Sequence, residues 1–163
     1  MSQKVFLVGL PGAGKTTTGK SLGAALDWEF VDLDDLIESR SKETVAEIFK
    51  AGEDQFRLKE KEALEEAVEK NGNLIISTGG GAPCFHGNMD LMLKAGIVIF
   101  LDTDLQEIEM RIRKESHRPL MQGQDFSEKI AQLNEARRPF YQKAHITHRQ
   151  NDSLSDLIEM IRK

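Results

Sequence analysis

A lysine and three threonines follow a glycine-rich turn near the start of the chain, in GLPGAGKTTTGK over residues 9–20, directly after the apolar run Val5–Val8. Gly9, Gly14, Lys15 and Thr16 satisfy the spacing G-x-x-x-x-G-K-[ST], with a strand candidate before it and a helix candidate after it. Each part of that spacing has a physical use. Glycines let successive backbone N–H groups turn toward one anion, and a helix N-terminus adds positive potential there. Lys15 reaches the outer phosphates and Thr16 offers a hydroxyl to Mg²⁺. The candidate ATP cradle is therefore Gly12, Ala13, Gly14, Lys15, Thr16 and Thr17. A second constellation follows in FVDLDDLIE, residues 30–38. Asp32 and Asp34, two apart at a strand end, are expected on one face, where one carboxylate organises Mg²⁺ through water and the other accepts a proton from an attacking hydroxyl. Asp34 and Asp35 also fit as N-terminal acids of the helix through Leu36 and Ile37, and Asp35 is assigned that role.

The acceptor of the phosphoryl group is left open by these residues. A guanine-nucleotide switch would carry an N-K-x-D segment, and none occurs. IVIFLD, residues 97–102, offers an aspartate at a strand end of the kind that holds Mg²⁺ in motor ATPases. Thr103 comes next, with Gln106 at capping-box spacing, so Asp102 reads more simply as an acid at a helix start. Small-metabolite kinases and a nucleotide-dependent regulatory protein both remain compatible with this much.

The elements that must position these groups alternate along the chain. Short apolar blocks at Lys4–Gly9, Glu29–Asp32, Leu74–Thr78, Ile97–Asp102 and Ala144–His148 read as buried parallel strands, where near-continuous hydrophobicity replaces alternation. Helical spacing runs between them. Leu154, Leu157, Ile158 and Ile161 follow Ser153; Leu105, Ile108 and Ile112 follow Thr103; Thr44 with Glu47 repeats a cap, and Phe56, Ala63, Leu64, Ala67 and Val68 mark one side of a charged helix ending near Asn71-Gly72. Gly79-Gly80-Gly81-Ala82-Pro83 and Glu115–Asp125 break the rhythm as loops. The pattern predicts an α/β fold of three layers, α/β/α, in one domain spanning 1–163.

Bulk properties narrow the partners. The 163 residues carry 22 Lys and Arg against 27 Asp and Glu, a net charge of −5, which disfavours nucleic acid. The start Met1-Ser2-Gln3-Lys4 leads straight into a strand, without a signal-peptide core, and no stretch is long enough to cross a bilayer, so the expected setting is the cytoplasm and no membrane. Cys84 is the sole cysteine, which excludes an intrachain disulfide. Four histidines show no metal-ligand spacing: His86 and His117 fall in loops, and His145 and His148 in the last strand and its exit. Met89, Met92 and Trp28 read as core packing, and a monomer is the expected state.

Taken together, GLPGAGKTT, FVDLDDLIE, GEDQFRLKE (52–60), STGGGA (77–82), RPLM (118–121) and RRPFY (137–141) resemble shikimate kinase, from Val5 to at least Tyr141. The resemblance implies a P-loop kinase fold with a five-stranded parallel sheet in the order 2-3-1-4-5, a substrate-binding helical segment about residues 33–62 and a mobile lid about 113–125. It implies ATP-dependent phosphorylation of the 3-hydroxyl of shikimate, with Mg²⁺ at Thr16 and, through water, Asp32. Asp34 would bind the ring hydroxyls and act as base, Arg57 and Arg137 would hold the carboxylate, and Gly79, Gly80 and Gly81 would let the main chain touch the ring. Lys15 and the lid residue Arg118 would counter charge on the transferring group. In ARRPFY, the family's R-x-P-x-Y pattern selects Arg137 over Arg138. Arg111 resembles a residue packing against adenine; by itself it also fits a surface charge beside Glu107 and Glu115, as Arg57 fits one beside Glu53 and Glu60. APCFHGN after the triple glycine departs from the family's aliphatic continuation, and Met121 stands where leucine is common.

Overall fold

The computed structural model describes residues 2–115 and 124–163. Its elements run β1 (Lys4–Val8), α1 (Lys15–Leu26), β2 (Glu29–Asp32), α2 (Leu33–Ser41), α3 (Val45–Ala51), α4 (Glu53–Glu69) and β3 (Leu74–Ser77). A 3₁₀ turn (Ala82–Cys84) precedes α5 (Asn88–Ala95), β4 (Ile97–Asp102), α6 (Leu105–Glu115), α7 (Gln124–Tyr141), β5 (Ile146–Arg149) and α8 (Leu154–Arg162). The strands form a five-stranded sheet in the order β2-β3-β1-β4-β5, and every neighbouring pair is parallel. The expected order and class are what the chain adopts.

The central strands read as hydrophobic runs because both their faces are covered. Val5, Phe6, Leu7 and Val8 are each 0% exposed, with α1 and α8 packed together on one side and α4 against α5 on the other. Close packing of α1 on β2 depends on Gly19. A Cβ there would come within 2.4 Å of the Phe30 ring, so any side chain would push helix and strand apart. Met89 and Met92 are buried, and Trp28 lies partly buried against the same core.

Several expectations resolve differently in detail. Thr44 and Ser153 cap as read, accepting from the backbone N–H of Glu47 and Asp156 at 3.1 Å each. Thr103 does not cap: its hydroxyl donates to the Ala13 carbonyl at 2.8 Å, and α6 starts later, with Ile108 N–H bonding the Asp104 carbonyl. The charged stretch after Thr44 is two helices, broken at Gly52, whose φ of 153° is a conformation that side chains rarely adopt. The last strand begins at Ile146 rather than Ala144.

Candidate active site

In the order β2-β3-β1-β4-β5 the connection after β1 runs one way, to β2, and the connection after its neighbour β3 runs the other way, to β4, so a crevice opens at their C-terminal ends. The phosphate loop fills that crevice. Gly12 and Gly14 take φ of 81° and 99°, and Gly14 is the residue before the first turn of α1, so the amides that follow point outward. Two contacts from β4 and α6 hold the loop from behind: Thr103 through Ala13, and Arg111, whose Nη1 donates to the Gly12 carbonyl at 3.1 Å. Arg111 also pairs with Glu107 at 3.0 Å, so it is a bridge from α6 to the loop rather than a purely solvated charge. Lys15 Nζ bends over the loop and donates to the carbonyls of Gly9 and Leu10. Burial, helped by Arg137 and opposed by Asp34 and Asp32, brings its pKa down to about 8.

The two aspartates face the loop by a different geometry from the one expected. Asp32 ends β2, but Asp34 is not on the strand; it lies in the first turn of α2. The strand passes into the helix without a connecting residue because Asp32 is the N-cap. Its Oδ1 accepts from the N–H groups of Asp34 at 2.9 Å and Asp35 at 3.3 Å. Its Oδ2 stands 3.5 Å from the Thr16 hydroxyl. Asp34 Oδ1 is buried with no hydrogen-bond partner among the described residues. Burial first, then the neighbouring carboxylate of Asp32, hold Asp34 above the usual aspartate range, against the pull of Lys15.

Around the triple glycine the guanidiniums gather. Arg57 is 6% exposed, donates to Glu60 at 2.9 Å and to Glu53 at 3.4 Å, and lies 4.1 Å from the Phe85 ring centroid with Phe49 and Phe56 nearby. It is a caged, buried cation. A Cβ on Gly81 would sit 2.6 Å from Nη2 of the caged Arg57, and one on Gly80 would sit 2.9 Å from both Arg137 Nη1 and the Pro11 ring, so a side chain at either would force its neighbours to shift. Gly79 lies between Asp34 and Glu60, whose oxygens would be 3.4 Å and 3.0 Å from its Cβ. Burial raises the Glu60 pKa even beside Arg57. Tyr141 donates its hydroxyl to the Gly80 carbonyl, and Arg137 and Arg57 lie against the consecutive glycines Gly80 and Gly81. Arg138 turns the other way, to Asp102.

A cavity of about 590 Å³ runs along this surface, lined by the phosphate loop, Asp32, Asp34, Gly79 and Gly80 at one end. Arg57, Gly81 and Arg137 are not among its lining residues; Arg137 lies against Gly80, which is, and Arg57 against Gly81. At the other end it is lined by Arg111, His148, Arg149 and Gln150. The last three carry no role in the sequence reading, where His148 is placed only at the strand exit. The signal for them was topological: β5 is parallel to β4, so its C-terminal end must emerge on the same edge as the phosphate loop. Arg118 and His117 lie outside the described residues, as does most of the expected lid.

Thr16 and Asp32 fit a small hard cation, since they bring a hydroxyl and a carboxylate oxygen together at the mouth of the loop. Among the described residues no group of three or more His, Cys, Asp or Glu could hold a metal alone. That pattern suits Mg²⁺, which keeps waters and binds through substrate phosphates. Nor is any helix among the described residues long and apolar enough to cross a membrane.

A parallel α/β sheet with a phosphate loop at its switch point, facing carboxylates across one cavity, defines a P-loop kinase. The family model described as shikimate kinase matches residues 11–163. The shikimate kinase of Parabacteroides distasonis is 43% identical over 89% of this chain and 86% of its own. That of Bacteroides fragilis is 45% identical over 87% and 82%. Among solved structures, shikimate kinase from Bacteroides thetaiotaomicron superposes with a TM-score of 0.87 at 37% identity, covering 98% of this chain and 96% of that one. The Acinetobacter baumannii enzyme, in complex with shikimate, gives 0.86 at 34% identity over 99% and 92%. The chain belongs to the shikimate kinase family and is an ATP-dependent phosphotransferase.

Proposed function

We propose that this protein transfers the γ-phosphoryl group of ATP to the 3-hydroxyl of shikimate, with the division of labour that the site suggests. The observation that carries the reading is the buried, unpartnered Oδ1 of Asp34, a residue that lines the cavity beside the phosphate loop. A buried carboxylate oxygen without a donor is costly unless a ligand supplies one, and a ring hydroxyl would. As the hydroxyl oxygen attacks the γ-phosphorus in line, the bond from that phosphorus to the bridging oxygen breaks, ADP leaves with that oxygen's electron pair, and the hydroxyl proton passes to Asp34 Oδ1. The raised pKa of Asp34 makes it a better acceptor for that proton.

Arg57 and Arg137 take the acceptor carboxylate, a planar anion matched by their forked donors, while Gly79, Gly80 and Gly81 admit the ring close to the main chain. Glu60 holds Arg57 in place. The loop amides and the Lys15 ammonium neutralise charge on the phosphates, and Arg111 with the β5 exit borders the base end. Arg118 is assigned the same charge-countering duty on the strength of the RPLM resemblance. Thr16 and Asp32 would hold Mg²⁺, which would supply positive charge against the charge that develops on the phosphates. Positioning supplies most of the rate in this scheme. The chain is read as one domain, with residues about 33–62 as the acceptor-side wall and about 113–125 as a lid, acting as a cytoplasmic monomer.

The test is a coupled assay of ADP release with Mg·ATP across small hydroxy acids. Shikimate should be turned over at least about a hundredfold more efficiently than gluconate or a nucleoside monophosphate, the discrimination expected where buried charges must be paired. Equal turnover of gluconate, or nucleotide hydrolysis indifferent to any acceptor, would overturn the substrate.

A further inference from the structure

The tip of β4 belongs to the rim of the site, yet the transfer scheme gives its carboxylate no role. Asp102 closes that strand with its side chain 19% exposed, and Arg138 grips both of its oxygens. Arg138 Nη1 donates to Oδ1 at 2.9 Å and Nη2 to Oδ2 at 2.8 Å. The same guanidinium lies 5.4 Å from the centroid of the Phe100 ring. Both oxygens are bound by one cation from α7.

Two neighbours of this pair reach the two halves of the site. Thr103, next along from Asp102, holds the Ala13 carbonyl of the phosphate loop. Arg137, one residue before Arg138, has its Nη1 against Gly80. Consecutive helix residues project about 100° apart, so fixing the rotation of α7 at Arg138 also fixes the direction of Arg137. A two-point fork resists rotation where a single hydrogen bond would not.

The helix needs that help at this place. Pro139 sits inside α7 and has no N–H to give, so the ladder loses a bond in the last turn, immediately beside Arg137. External contacts take over on both sides of the gap: Arg138 to Asp102, and the Tyr141 hydroxyl to the Gly80 carbonyl.

We propose that Asp102 is a positioning residue for the acceptor: through Arg138 it aims Arg137 at the acceptor carboxylate, and through its neighbour Thr103 it keeps that aim in register with the phosphate loop. The inference rests on the reading of Arg137 as a carboxylate ligand. Its experiment compares steady-state kinetics of the wild-type protein with Asp102→Asn, Arg138→Gln and the double variant, varying shikimate and ATP separately. Each single substitution should raise the shikimate KM about tenfold, the scale of losing one charge-assisted bond, with kcat and the ATP KM within about twofold. The double variant should be no worse than either single one, because the two residues act as one device. Asp102→Glu, which retains the fork, should return the shikimate KM to within about threefold of wild type.

A lowered melting temperature with unchanged shikimate KM would overturn the proposal in favour of plain stability. Additive losses, or a kcat loss relieved by raising Mg²⁺, would overturn it in favour of a metal-side role. If Asp102→Asn does not fold, Arg138→Lys, which keeps the charge and loses the fork, carries the same readout. A wild-type protein idle with shikimate would overturn the functional reading and this one with it, whereas an active wild type with indifferent variants would overturn this one alone.

Discussion

The two ends of the site are built by opposite means. The phosphate-binding part of the nucleotide end is contiguous in sequence, residues 9–17, and is made of backbone: glycines at positive φ, amides at the start of α1, and one lysine held by the loop's own carbonyls. The acceptor end is assembled from α2, α4, the triple glycine and α7, and is made of side chains held by other side chains. Arg57 needs Glu60, Glu53 and three aromatic rings to keep its place. A local backbone site survives wherever one strand and one helix meet at the right angle. A non-local site of buried charges requires the whole fold, which makes it, on the proposed reading, the end that sets selectivity and where a distant substitution is felt.

That contrast can be broken most severely at Lys15. Lys15→Ala should reduce turnover by more than about a thousandfold with every acceptor, since it removes the ammonium proposed to counter charge on the transferring group; residual activity within about tenfold of wild type would deny the loop its part. Asp34→Asn comes next, with kcat down about a hundredfold, the scale of a lost general base, and nucleotide affinity almost unchanged. Normal turnover in that variant would remove Asp34 as base.

Arg137→Ala tests the separation itself. The shikimate KM should rise about tenfold or more while the ATP KM stays within about twofold, because the carboxylate is remote from the transferred group. If both constants rose alike, the two ends would not be independent. The smallest effect concerns protons. With its pKa near 8 in the free protein, Lys15 is half-deprotonated at pH 8, and nearby phosphate charge favours the protonated form, so Mg·ADP binding should take up about half a proton at pH 8 and little at pH 7. Calorimetry in buffers of different ionisation enthalpy reads that number. Lys15→Arg should abolish it, and heats independent of buffer at pH 8 in the wild type would refute it.

The same contrast explains what could be read beforehand. The strand blocks and the order of elements follow from buried runs and turn residues, and GLPGAGKTT declares itself because its chemistry is local. Glu60 gave no signal: a glutamate three residues after an arginine on a charged helix looks solvated, and only the packing of α4 against the glycine turn puts both inside. Thr103 was misassigned for the same reason. Its spacing to Gln106 satisfies a local cap, and the competing partner, Ala13, lies ninety residues away. Arg138 and Asp102 are likewise thirty-six apart, and neither has a local mark of its partner. Asp34 was placed in the right neighbourhood by the wrong period, since a strand and a first helical turn can bring the same two carboxylates to one opening.

The direct passage from β2 into α2 at Asp32 leaves no slack between the sheet and the acceptor-side helices. Any tilt of α2 must swing about that residue as about a fulcrum. With nine residues and about 1.5 Å of rise each, a tilt of about 10° would carry Ser41 through about 2 Å and move Asp34 by about 0.5 Å. The far wall can thus follow the shape of its guest while the proposed base, Asp34, keeps nearly the same distance from the phosphate loop.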